Sequence, residues 1–204
     1  MDPALIETLK EWLDVRAIIQ WGGIIGITAI IFVETGLFFG FFLPGDSLLV
    51  TAGILAGAGQ IDIYWLILFA CAAAVIGDQT GYVIGYRAGR ALVVRYRKFE
   101  KHLDRAHNFY EKYGAKTIVL ARFVPIVRTF VPAVAGAARM HYGTFVTYNI
   151  LGGLLWVLST TLLGYTLGRV IPSIDRYLHL VIAVVIFLSL LPIVYEWWKH
   201  RKPA

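Results

Sequence analysis

The stretch from residue 117 to residue 138 reads TIVLARFVPIVRTFVPAVAGAA, and it decides how the rest of the chain is interpreted. It is apolar, yet it holds two arginines and two prolines within 22 residues. Proline breaks or kinks a helix interior, and a charged side chain in an apolar layer needs a partner or a wet cavity. We therefore predict a broken, re-entrant hairpin over residues 117–141, with breaks at Pro125 and Pro132.

The composition of the whole chain indicates a membrane protein. Of its 204 residues, 58% are hydrophobic and only 16% are charged, and the mean hydropathy is +0.69. Soluble domains are closer to half apolar and a quarter charged. The formal net charge of +6 is then explained by membrane topology and lipid headgroups, so no nucleic-acid partner is predicted.

The positive charges are concentrated in one segment. Residues 87–116 hold nine lysines and arginines against three acids, and basic loops of membrane proteins face the cytoplasm. The tail 196–204 is also basic and contains Trp197 and Trp198, which are typical of a membrane interface. Both segments are predicted to be cytoplasmic, and counting crossings from them places the N- and C-termini inside.

A second broken hairpin is predicted around Pro44 and Gly45. The apolar pieces on either side are about 10 to 14 residues long, too short to cross a bilayer that needs about 20. The chain is thus predicted to be an all-α polytopic membrane protein with one domain, 1–204, about four full spans and two re-entrant hairpins. The predicted order is an interfacial helix at 1–16, a span at 17–37, an outward hairpin at 38–61, a span at 63–86, the basic segment 87–116, the inward hairpin at 117–141, spans at 142–168 and 177–195, and the basic tail.

Short sequence matches suggest an internal repeat. Ala56-Gly57-Ala58 recurs as Ala135-Gly136-Ala137, and the segment Gly85 to Arg90 resembles Gly164 to Arg169, both at an offset of 79 residues. Since one span separates the start of the two copies, the repeats are predicted to be inverted, as in secondary transporters. The glycine spacings favour close helix packing within the chain or between copies, so a homo-oligomer is left open.

Five ionisable residues fall inside or at the edge of the apolar segments. Arg122 and Arg128 lie six residues apart, about 240° around an unbroken helix, and a break at Pro125 can bring both guanidiniums to one site. Guanidinium groups bind phosphate oxygens bidentately, so we predict an anionic headgroup site. Snorkelling of both side chains to the interface is the alternative. The remaining three residues are Glu34, Asp46 and Asp78.

The acids are predicted to carry protons. A carboxyl in a low-dielectric site can load and release a proton near neutral pH, and Glu34 and Asp46 lie on either side of the Pro44-Gly45 pair. We expect them to sense external acidity from the outward hairpin, apart from the arginines. Asp78 is a secondary candidate, and structural ion pairs are the alternative for all three acids.

Four motifs in order resemble one family. They are Phe32-Val-Glu34-Thr-Gly36, Phe42-Leu-Pro44-Gly45-Asp46-Ser47, Gly77-Asp78 with the glycines that follow it, and Ala121-Arg122-Phe-Val-Pro125-Ile-Val-Arg128-Thr. Together they resemble the DedA family of bacterial inner-membrane proteins, which is related to eukaryotic VTT-domain lipid scramblases. The likeness covers about residues 30 to 195.

The resemblance implies a translocase that depends on the proton motive force. Its substrate would be undecaprenyl phosphate, or else a phospholipid such as phosphatidylethanolamine, moved across the bacterial inner membrane. Carried over by motif, the essential residues are Glu34, Asp46, Arg122 and Arg128.

Other classes of protein are less well supported by the sequence. There is no ATP-binding loop, nucleophile elbow or H-E-x-x-H motif, so neither an enzyme nor a cofactor is predicted. The only cysteine is Cys71, and His102 and His107 lack a third ligand at a suitable spacing, so no metal site is predicted. An ion/proton antiporter, a membrane scaffold and a lipid phosphatase are the alternatives to the lipid carrier.

Overall fold

The computed structural model describes residues 15–37, 45–95, 114 and 116–170, which form helices and turns without a strand among them. The interfacial helix at 1–16, Pro44, most of the basic segment and the span at 177–195 with its tail were predicted for parts of the chain that lie wholly or mainly outside these residues. The described helices are α1 (Val15–Gly36), α2 (Gly45–Gly57), α3 (Ile63–Arg95), α4 (Lys116–Ala121), α5 (Pro125–Ala137) and α6 (Tyr142–Val170).

Two of these helices are long and apolar enough to cross a membrane. They are Ile63–Ala88 within α3, with 26 residues, and all 29 residues of α6. At 1.5 Å per residue each exceeds the bilayer core of about 30 Å. Both lie where the sequence predicts spans. The helix α3 continues to Arg95, so the basic segment begins inside it.

The remaining apolar helices are short. Both α2 and α5 have 13 residues, and α1 changes direction at Gly23, where φ is +52° and ψ is −146°. A positive φ of this kind is adopted readily only by glycine, which has no Cβ to clash with the backbone. The predicted span at 17–37 is therefore interrupted near its start.

The two prolines of the predicted inward hairpin behave differently. Pro125 begins α5, with Val124 as the N-cap residue, and proline fits a first helical position because its missing N–H would have no partner there. The predicted break at Pro132 is wrong, because α5 continues through it to Ala137. An added Cβ at Gly81 would lie 3.3 Å from the Pro132 ring, so a glycine of α3 makes room for the proline.

The described chain divides into two compact units. The first takes residues 44–70 and the chain from Val157 onward, and the second takes Ile31–Leu43 and Cys71–Trp156, with the N-terminal part of α1 in the first. In the first unit α2 packs on the end of α6. An added Cβ at Gly57 would overlap the Tyr165 carbonyl, and one at Gly168 would overlap the Ile54 carbonyl. Such glycine contacts allow backbones to approach closely.

In the second unit α5 packs on α3 through equivalent contacts. An added Cβ at Gly136 would overlap the Tyr82 carbonyl, and one at Gly85 would overlap the Ala133 carbonyl. Tyr82 also belongs to the buried core of this unit, where it joins Ile118, Ala135 and Phe145. Both units thus have a short helix held against a long one by glycines on each helix.

The contacts correct the predicted register of the repeat. The short helices match at an offset of 79, since Gly57 and Gly136 make equivalent contacts, but Tyr165 and Tyr82 lie 83 residues apart. The equivalent segments of the long helices are therefore Gly81-Tyr82-Val-Ile-Gly85 and Gly164-Tyr165-Thr-Leu-Gly168. The sequence match is wrong by four residues, about one helical turn.

Candidate functional site

A close contact between α1 and α3 positions the two buried acids of the second unit. An added Cβ at Gly36 would lie 3.0 Å from the Gly77 carbonyl oxygen, and one at Gly77 would overlap the Thr35 hydroxyl. Glu34 and Asp78 each lie within two residues of this contact, and both are buried. The glycines therefore bring two carboxyl-bearing segments together inside an apolar unit.

The arginines come from the broken segment between α4 and α5. Arg122 follows the last residue of α4, and Arg128 lies in the first turn of α5. Arg122 is 3% exposed and Arg128 is 8% exposed. The snorkelling alternative is therefore wrong in this structure, since the guanidinium groups are buried in the unit.

Arg122 is held by polar groups from two other helices. Its Nη2 donates hydrogen bonds to the Asp78 carboxylate of α3 and to the side-chain oxygen of Asn149 of α6. The amide nitrogen of Asn149 donates to the Val75 carbonyl at 3.1 Å, which fixes its orientation. An added Cβ at Gly152 would lie 3.2 Å from the Arg122 side chain, so a small residue is needed there.

Arg128 has an acidic and an aromatic neighbour. Its Nη2 donates a hydrogen bond to the Glu34 carboxylate, and the two form a buried salt bridge. Its guanidinium carbon lies 4.5 Å from the centroid of the Trp156 ring, a distance at which a cation is attracted to the face of the ring. A planar guanidinium can stack on Trp156 while its edge stays directed at an anion.

The two salt bridges form one electrostatic cluster. Arg128 lies close enough for its charge to act on both Asp78 and Arg122. With two acids and two arginines, the cluster is formally neutral when all four groups are ionised. Breaking a buried pair by removing one partner costs about 3–5 kcal/mol, because the other charge is left uncompensated. The cluster is therefore stable only while every charge keeps a counter-charge.

The structure brings together four of the five predicted ionisable residues. The exception is Asp46, which lies in the first turn of α2 and is half exposed. The predicted separation of Glu34 from the arginines is wrong, because Glu34 is ion-paired with Arg128. Asp78, a secondary candidate in the sequence, is an equal member of the cluster. The roles of all five residues stay predictions.

Three contributors were missed from the sequence. Asn149 is a polar residue in a charge-free span, and that was the signal for a buried partner. The pair Gly152-Gly153 marked a place where a side chain needs space. Trp156 gave no signal, since a tryptophan in an apolar helix is ordinary. Within the described residues, no group of three or more potential metal ligands occurs.

Comparison with known proteins gives a consistent picture. Residues 43–166 match the VTT domain. The chain is 45% identical to protein DedA of Escherichia coli K12, over 86% of this chain and 82% of that protein. It is also 45% identical to an uncharacterized membrane protein of Mycobacterium tuberculosis, over 89% and 81%. The inner membrane protein YqjA of Escherichia coli K12 is 38% identical, over 69% and 65%. No solved structure matches significantly.

Proposed function

Because the chain belongs to the VTT domain (DedA) family of membrane proteins, we propose that it is a transporter which carries an anionic lipid across a bacterial inner membrane. The proposed substrate is a polyprenyl phosphate, most simply undecaprenyl phosphate, and the proposed driving force is the proton motive force. The relative YqjA is named an inner membrane protein, which supports the location.

One observation carries this proposal: two guanidinium groups are buried against carboxylates that a phosphate could replace. Carboxylate and phosphate are both ligands that arginine binds through two parallel hydrogen bonds. A phosphate can take the place of a carboxylate on Arg128 only if the charge of Glu34 is removed at the same time. Protonation of Glu34 does this, so proton binding and lipid binding are coupled at one site.

The proposed cycle exchanges one anion for another. A proton neutralises Glu34, Arg128 loses its counter-charge, and the lipid phosphate takes its place while the prenyl chain stays in the bilayer. When the proton leaves, the Glu34 carboxylate competes for Arg128 again and displaces the phosphate. Arg122 and Asp78 provide a second exchange of the same kind. Asp46, which is half exposed, is proposed to pass protons between water and the protein. No covalent bond is made or broken.

Charge matching favours a phosphate monoester over phosphatidylethanolamine. A monoester approaches two negative charges at neutral pH, which suits two arginines whose acids have been neutralised. The phosphodiester of phosphatidylethanolamine carries one negative charge, and its ammonium group adds a positive one. An ion/proton antiporter would need a carboxylate that binds a cation, whereas Glu34 and Asp78 each face an arginine.

The proposal is tested by transport of a labelled polyprenyl phosphate in proteoliposomes, with and without a pH gradient. Arg128→Ala is expected to slow transport about tenfold or more, because a hydrogen bond to a charged group contributes about 1.5–3 kcal/mol. Glu34→Gln is expected to abolish stimulation by the gradient. The control is Arg139→Asn, which removes an exposed arginine at a φ of +56°, a conformation that asparagine tolerates.

Three results would contradict the proposal. Normal transport by folded Arg128→Ala protein would exclude the phosphate-binding role. Equal transport of phosphatidylethanolamine would exclude the proposed substrate. Cation-dependent proton flux without lipid movement would favour the antiporter.

A further inference from the structure

We propose that a cleft beside α3, outside the ion-pair cluster, binds the headgroup of an anionic glycerophospholipid. This cleft, called the tyrosine cleft below, is open, has a volume of about 470 Å³, and shares no lining residue with the salt bridges. The inference does not rest on the proposed transport. The six lining residues are Tyr82, Val83, Tyr86, Arg87, Met140 and Tyr142.

The wall of the tyrosine cleft is held in place by ring contacts and hydrogen bonds. Tyr82 stacks on Tyr86 with ring centroids 6.4 Å apart and meets Tyr142 at 5.5 Å. The Tyr82 hydroxyl donates to the Met140 carbonyl, and the Tyr142 hydroxyl donates to the side-chain oxygen of Gln79 at 2.6 Å. The loop between α5 and α6 is thereby fixed against α3, so the cleft is formed before any ligand arrives.

The charge of the tyrosine cleft selects an anion. Arg87 is exposed, and none of the six lining residues is acidic. A guanidinium and a phenol are both hydrogen-bond donors, and a phosphodiester accepts from both. Arg87 is also the first of the nine basic residues in the segment 87–116. A zwitterionic headgroup is less suitable, because its ammonium group would be placed near Arg87.

The position along the chain indicates a lipid as the source of the phosphate. The apolar stretch that can cross a membrane ends at Ala88, so Tyr86 and Arg87 lie at its end. Tyrosine is enriched at this level of a membrane, where its ring contacts the acyl region and its hydroxyl contacts water. Val83 and Met140 supply the apolar part of the lining. The volume lies within the range of about 300–1,000 Å³ for ligand sites.

The test measures lipid binding to the full-length protein in detergent by native mass spectrometry. Phosphatidylglycerol is compared with phosphatidylcholine of the same acyl chains. The wild type is expected to prefer phosphatidylglycerol, and Arg87→Gln is expected to lower its affinity about fivefold, as for the loss of one cation beside an anionic lipid. Arg169→Gln is the matched control, since Arg169 is exposed at the end of the other long helix, 5.7 Å from the Tyr165 ring.

A second variant separates shape from charge. Val83 is 39% exposed and lines the tyrosine cleft, so Val83→Trp fills the space while leaving Arg87 in place. It is expected to lower phosphatidylglycerol affinity at least as much as Arg87→Gln, with an unchanged melting temperature in lipid-free detergent. Inorganic phosphate at equal concentration is expected not to compete.

Each contrary result overturns the inference. Equal losses for Arg87→Gln and Arg169→Gln would show that the positive charge acts without a site. Unchanged binding in Val83→Trp would show that the cleft is not occupied. Competition by inorganic phosphate would show an anion site that does not recognise a lipid.

Discussion

The two units of the molecule have the same packing and bury different chemistry. In each, a short helix meets a long one through glycines, with Gly57 on Tyr165 in the first unit and Gly136 on Tyr82 in the second. The offsets defined by these contacts relate Thr161 to Asp78 and Leu49 to Arg128. All four side chains are buried. One scaffold therefore holds either neutral or charged residues at equivalent positions.

This difference separates folding from function. Leu49 and Thr161 show that the packing does not require charges at these positions. A buried ion pair is weak evidence for stability, because replacing both partners by apolar residues is often neutral or stabilising. The charges of the second unit are therefore better explained by a task than by the fold, and substitutions in the two units can test that view.

The largest expected effect comes from breaking one ion pair. Asp78→Ala leaves the Arg122 guanidinium buried without its counter-charge, and we expect the free energy of unfolding to fall by about 3–5 kcal/mol. The double variant Asp78→Leu/Arg122→Met should recover most of this loss, because both charges are then absent. Unfolding of the purified protein in mixed micelles with increasing SDS measures both.

The double variant distinguishes a functional pair from a structural one. Recovery of stability without transport is the expected result. If the double variant is as unstable as Asp78→Ala, the pair is needed for the fold and the contrast with the first unit is lost.

An intermediate effect is expected from the glycines, and here the units should agree. Gly57→Ala and Gly136→Ala each place a methyl group on a carbonyl oxygen of the long helix. Overpacking of this kind costs about 1–3 kcal/mol, and the two losses should be similar. Gly22→Ala is the control, because no atom lies within 4 Å of its added Cβ. The same SDS unfolding assay applies, and a loss in only one unit would contradict the shared scaffold.

The sequence was most informative where a residue conflicts with its surroundings. Glu34, Asp78, Arg122 and Arg128 stand out because charges are rare in apolar segments. Their pairing could not be predicted, since Glu34 and Arg128 lie 94 positions apart and meet only through tertiary packing. The sequence therefore identified the members of the cluster without identifying its partners.

Two errors have local physical causes. The register of the repeat was ambiguous because Gly81, Gly85 and Gly89 recur at one helical turn, so a shift of four residues still aligns glycine with glycine. Only the backbone contacts decide between the registers. The break at Pro132 was predicted from the missing N–H, but the effect of a proline also depends on its neighbours, and here Gly81 leaves space for the ring.

The smallest expected effect concerns two hydroxyls of the first unit. The Oγ1 atoms of Thr51 and Thr161 are buried without a hydrogen-bond partner among the described residues, and a buried unsatisfied polar group costs about 1–3 kcal/mol. Thr161→Val and Thr51→Val are therefore expected to raise the free energy of unfolding by up to about 1 kcal/mol each. Thr35→Val should lower it by about as much, because the Thr35 hydroxyl donates to the Ile31 carbonyl at 2.9 Å.

A loss of stability in Thr161→Val would change the comparison of the two units. It would mean that the Thr161 hydroxyl has a polar partner in the membrane, at the position equivalent to Asp78. Since valine has nearly the shape of threonine without its hydroxyl, such a loss could not be explained by packing. The first unit would then also hold a polar site, and the two units would differ in the charge of their sites rather than in having one.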